Sequence, residues 1–166
     1  MLSDFEEFLT LWRALAAEAG DGGLPTRQQL TTGQFCRFIP VMLIVEWDTK
    51  TWTPAISYCG TRIDELLKRD LVQEPLKAVF EPGPHIKTHL EVAKTVIEKQ
   101  VGAEVTAELA LGGDYTITAS QMRLPLAPQN GKPLILSIFE FPPFEAHRVT
   151  EGQVALNTLE YRYIPL

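Results

Sequence analysis

The chain has 166 residues and a formal net charge of -6, with 45% hydrophobic and 22% charged residues, and a mass of 18.6 kDa. A chain of this length closes one core, burying roughly 68–70% of its unfolded surface without disulfides or a structural metal. The acidic balance and the lack of a Lys/Arg stripe argue against a nucleic-acid partner, because a phosphate backbone would be repelled. The longest aliphatic run, Val41 to Val45, is too short to span a bilayer, and the acidic opening Ser3-Asp4-Phe5-Glu6-Glu7 does not resemble a secretion signal. A cytoplasmic protein without membrane insertion is the expectation. Cys36 and Cys59 lack C-x-x-C spacing and are expected to be reduced and buried.

Ser3 and Glu6 form a capping box ahead of Phe5, Phe8, Leu9, Trp12, Leu15, Ala16 and Ala19, which recur at helical spacing until Gly20. This predicts an amphipathic first helix whose aromatic stripe buries against its own sheet or a second subunit's. Phe5, Phe8, Leu9, Trp12 and Leu15 are accordingly the expected contacts of a homodimer. A glycine-rich connection and a short helix at 33–38, stopped by Pro40, lead into Val41 to Trp47, whose β-branched apolar run predicts a strand covered on both faces. Thr53 to Cys59 carries Pro54 near its start and reads as an edge strand. Thr61 caps a short helix with Ile63, Leu66 and Leu67 inward, and more helical turns are predicted between Leu71 and Phe80. Pro82-Gly83-Pro84 then launches a longer helix, in which Ile86, Leu90, Ala93 and Ile97 mark the expected buried face.

Ala103 to Leu111 alternates, leaving Glu104, Thr106 and Glu108 on a wet side. From Tyr115 to Leu126 the apolar phase slips from Tyr115, Ile117 and Ala119 to Met122, Leu124 and Leu126, which predicts a bulge near Ser120. Asn130-Gly131 turns the chain into a last strand, Leu134 to Phe141. Residues 145–166 include Val154, Leu156, Tyr161 and Tyr163 without a firm period. They read as a tail packed on the domain or on a partner.

Two strands, short helices, one longer helix and three strands is an order that resembles the PAS fold. Trp12, Leu24-Pro25-x-Arg27, Ile39-Pro40-x-Met42-Leu43, Tyr58-Cys59-Gly60-Thr61 and Asp70-Leu71 further resemble a subfamily of small, mostly single-domain alphaproteobacterial PAS proteins. That likeness covers the first half of the chain, and the second half agrees in element order. The subfamily usually has an Arg where Cys59 stands and a glycine where Gln73 stands. The resemblance implies an α+β fold, with a five-stranded antiparallel sheet and helices inserted between strands 2 and 3. It divides the chain into a helix and linker (1–23), a sensor domain (24–144) and a tail (145–166). It implies a non-catalytic sensory or regulatory domain that takes a small apolar or amphipathic ligand, a signalling partner, or both. Leu43, Tyr58, Gly60, Thr61, Leu66, Phe80, Leu90, Ile117 and Leu136 are the expected pocket residues. With no effector segment in this sequence, the signal is expected to pass by contact.

Other constellations compete with this reading. Gly33-Gln34-Phe35-Cys36-Arg37-Phe38 is similar to the N-C-R-F-L-Q loop of flavin-binding light sensors of the same fold. Cys36 precedes the first strand and lacks the Asn, so no flavin is expected. His85 and His89, at i and i+4 of the long helix, offer imidazoles to a haem, which is one alternative sensor reading. Lys87 and Glu91 beside them point instead to exposed histidines. No metal site is expected, since no Cys/His pair has ligand spacing, and His147 reads as structural. Glu104, Glu108 and Asp114 fall on or just beyond a solvated face, where carboxylate pKa values shift little, so acid–base catalysis is not expected. A second alternative is a cone-like or hot-dog enzyme or carrier, which would place its long helix ahead of an unbroken run of strands.

Overall fold

The computed structural model describes residues 3–166. Helix α1 (Asp4–Glu18) starts at the capping box, with the Glu6 N–H donating to Ser3 Oγ at 3.2 Å and the Ser3 N–H donating to Glu6 Oε2 at 3.0 Å. Two 3₁₀ segments, Gln28–Thr31 and Gly33–Val41, lead into strands β1 (Met42–Asp48) and β2 (Thr53–Cys59). Helices α2 (Thr61–Leu67), α3 (Leu76–Val79) and α4 (Pro84–Lys99) follow. Strands β3 (Gly102–Gly112), β4 (Tyr115–Gln129), β5 (Lys132–Glu140) and β6 (Ala155–Ile164) complete the chain. All pairs are antiparallel, in the order β2-β1-β5-β4-β3-β6, with β2 at an edge as Pro54 predicts. The long helix follows two strands and precedes four, which is not the order of a cone-like or hot-dog sheet. No helix among the described residues is long and apolar enough to cross a membrane.

The sheet has six strands rather than five. The tail forms β6 against β3, and its period is hidden by an irregularity: Thr158 pairs with Glu108 and Leu156 with Leu109, leaving Asn157 as an extra residue. The side facing α4 therefore passes from Leu156 to Leu159, Tyr161 and Tyr163, and the alternation changes phase at that point. The opposite correction applies in β4. No bulge lies near Ser120, because pairing with β3 runs unbroken from Arg123 to Thr116. The apolar phase slips because the two faces of one long strand are covered at different ends.

One face is covered by α1 and the 3₁₀ segments. Phe8 and Trp12 are buried there with Phe35, Phe38, Met42, Ile44, Leu124 and Leu136, and Phe8 meets Phe35 and Phe38 edge-on at 5.5 and 4.9 Å. The Trp12 indole N–H donates to the Pro125 carbonyl at 3.3 Å. Two residues of the stripe expected at a dimer interface are thus spent within the chain, Phe8 and Trp12 being 0% and 2% exposed, while Phe5, Leu9 and Leu15 pack around them and stay partly exposed. Cys36 is also a correction, being exposed, since Phe35 and Phe38 are the residues of its segment that enter the core; Cys59 is buried and free. Helices α2, α3 and α4 cover the other face.

A candidate ligand cavity

Between the sheet and helices α2 to α4 lies a cavity of about 80 Å³. Its floor is the alternate residues of four strands: Leu43, Val45 and Trp47 of β1, Ile135 and Ser137 of β5, Gln121 and Arg123 of β4, and Ala107 of β3. Strand pairing puts them on one side, since Leu43 and Arg123 both sit opposite Ser137. Ile63, Leu66 and Leu67 of α2, Leu76 and Val79 of α3, and His89 and Ala93 of α4 form the roof. The lining is overwhelmingly apolar and contains no Asp or Glu.

Its polar feature is Arg123, only 3% exposed. Nε donates to Gln121 Oε1 at 3.1 Å, Nη1 to the His89 carbonyl at 2.9 Å and Nη2 to His89 Nδ1 at 2.6 Å. Because guanidinium only donates, the neutral ring accepts; Nδ1 is the nearer nitrogen, and Nε2 lies 3.3 Å from the same Nη2. Burial, with the Arg123 charge adding to it, holds the His89 pKa well below its ordinary value. Burial also pushes the Arg123 pKa down to about 9, which leaves it a cation at neutral pH. Among the described residues no carboxylate is within salt-bridge distance of it.

The lowered His89 pKa makes the stability of the fold depend on pH. Below the ordinary histidine pKa near 6.5 the unfolded chain takes up a proton that the native state refuses, so stability is lost as pH falls. The slope approaches about 1.4 kcal/mol per pH unit. Urea unfolding from pH 7 to 5 is expected to show this slope, and His89→Gln, which keeps an acceptor for Arg123, is expected to lose it. Parallel curves for the two proteins would mean that His89 binds its proton in the native state.

The family model for the PAS domain matches residues 3–139. The chain belongs to the PAS domain family. No curated protein matches it, and no solved structure does. In this PAS domain Leu43, Leu66 and Phe80 line the cavity, and Leu90 packs beside it on the same core. The other expected pocket residues lie elsewhere. Tyr58 and Leu136 point to the α1 face, Ile117 joins a separate cluster with Leu111 and Tyr115, Gly60 packs against chain backbone, and Thr61 is exposed. Gln73, standing at the subfamily's glycine, has φ 69° and donates its N–H to the Ile56 carbonyl at 2.8 Å. A glycine would hold that left-handed turn with less strain.

His89 and Arg123 together exclude the haem fit. Both imidazole nitrogens lie against the Arg123 guanidinium, at 2.6 and 3.3 Å, and about 80 Å³ is far below the several hundred that a macrocycle fills. His89 is a correction in another respect, since it is buried rather than on a solvated face. Val92, Ala93 and Val96 stand at i+3, i+4 and i+7 from it, all buried, so the stripe of α4 is centred on His89. Counting Val92 and Val96 with Ala93 was the signal that could have found it. Arg123 had a weaker signal, a lone cation alternating with Met122 and Leu124 in a strand apolar on both faces. The carboxylates Glu104 and Glu108 lie on the polar outer face, Glu104 accepting from Arg162 at 2.7 Å and Glu108 from Asn157 at 3.0 Å.

Proposed function

We propose that this PAS domain is a non-catalytic sensory or regulatory module whose cavity receives a small apolar or amphipathic molecule and whose occupancy is read by a protein partner. Its place within the family is with the small, mostly single-domain alphaproteobacterial members, on the residues of the first half. The observation that carries the ligand reading is the cavity itself, roofed by α4 and walled by apolar side chains around one buried cation. A catalytic reading would need a base near neutral pKa, whereas the imidazole in this lining is held neutral and already accepts from Arg123.

Ala107 and Ala119 face each other across β3 and β4, and both line the cavity. Ala119→Leu is expected to fill the space without loss of stability and to abolish a response that the natural chain shows. Native mass spectrometry of gently purified protein is expected to find a retained small molecule on the natural chain and none on the variant. A bare natural chain whose amide spectrum is also unmoved by small apolar probes would overturn the reading.

A further inference from the structure

Resting on that reading, the lining goes further and names a ligand class. A buried guanidinium is costly to desolvate unless something nearby answers its charge. Arg123 makes three hydrogen bonds, all to neutral acceptors, out of the five N–H donors a guanidinium carries. Two donors and the whole positive charge are left over. Trp47 supplies an independent sign: it lines the same cavity, is 2% exposed, and its indole N–H has no hydrogen-bond partner among the described residues. Ser137, also buried, lines the cavity too. Ser137 stands opposite Arg123, and Trp47 lies further along β1, so the polar groups on offer are one cation and neutral donors at separate points of an apolar box from which Asp and Glu are missing.

We propose that the cavity binds a small aliphatic monocarboxylate, its carboxylate paired with Arg123 and its hydrocarbon end against the apolar wall. Size limits the class. About 80 Å³ is close to half the roughly 150 Å³ void that accepts benzene, which points to acids of about two or three carbons. A dianion is disfavoured, because one guanidinium cannot answer two charges in so apolar a box. Arg is suited to the task, since its planar fork engages both oxygens of a carboxylate.

Amide NMR titration of the full chain with propionate, propionamide and 1-propanol tests this, with inorganic phosphate as a fourth probe. Propionate is expected to bind saturably, and to bind at least about tenfold tighter than propionamide, the factor for one charged hydrogen bond over a neutral one. Arg123→Met is expected to lose propionate altogether while still taking up 1-propanol. Should Arg123→Met fail to fold, the acid-to-amide ratio on the natural chain decides. Equal binding of propionate, propionamide and propanol would overturn the carboxylate class and leave the pocket reading standing. Tighter binding of phosphate than of propionate would overturn it in favour of an inorganic anion. Silence from all four probes would bring down this inference and count against the pocket reading with it.

Discussion

His89→Leu, with Arg123 retained, is expected to destabilise the domain by about 1.5–3 kcal/mol, the worth of a hydrogen bond between a buried charged group and a neutral acceptor. The guanidinium keeps its charge and its burial but loses the imidazole acceptor at 2.6 Å, and a leucine side chain offers nothing in return. A loss of that size removes a measurable part of the roughly 5–15 kcal/mol that an ordinary domain possesses. The double variant His89→Leu/Arg123→Met is expected to behave in the opposite way. With charge and acceptor both gone, the site becomes ordinary core between β4 and α4, neutral or more stable than the natural chain by about 1–4 kcal/mol. Urea unfolding of the four proteins closes a double-mutant cycle whose coupling term exceeds both experimental error and the effect of a simple packing change. Additive losses would mean that His89 and Arg123 contribute only their volumes. If the expected rescue is found, a pair that stabilises the fold less than leucine and methionine would has its explanation in what it does in the cavity, and that is where the carboxylate experiment enters.

Those two residues also show what could be read from the sequence and what could not. Periodicity located α1, the two-sided strand β1, the edge strand β2 and the long helix α4, because each depends on local spacing that burial then enforces. Periodicity is weaker at deciding which neighbour covers a face. The aromatic stripe of α1 demanded a cover, and only the folded chain shows that its own sheet provides it. In α4 the sequence pattern of Ile86, Leu90, Ala93 and Ile97 describes one flank of the buried arc, and the polar neighbours Lys87 and Glu91 made His89 look solvated. Arg123 was obscured for a related reason: where both faces of a strand are covered, alternation no longer separates inside from outside. β6 escaped detection because its extra residue at Asn157 breaks a period that is regular on either side. The pocket was the least legible part, since it is assembled from separate strands and helices and no single stretch carries its pattern.

Gly60→Ala is expected to cost about 3 kcal/mol, the upper end of ordinary overpacking, because the atoms it strikes cannot turn aside. Gly60 joins β2 to α2 with φ -71° and ψ 150°, a conformation open to any residue, so the glycine is not there for a turn. Nor does it make room for a ligand. A Cβ at this position would collide with the carbonyl oxygens of Ile39 and Pro40, at the end of the second 3₁₀ segment. The same seam is held by the Gly60 N–H donating to the Met42 carbonyl at 2.8 Å, and by the Tyr58 hydroxyl donating to the Ile39 carbonyl at 3.5 Å. Backbone meets backbone there, at the place where the layer beneath α1 touches the helix that roofs the cavity. Gly131→Ala provides the control: that glycine has φ +74° and open space where a Cβ would stand, so its substitution should cost only the left-handed preference, about 1–2 kcal/mol. Thermal unfolding of both variants separates steric conflict from backbone preference. If Gly60→Ala proves no more damaging than Gly131→Ala, the two layers are not locked at this seam, and movement of α2 over the cavity must be allowed for in any account of how occupancy reaches the surface.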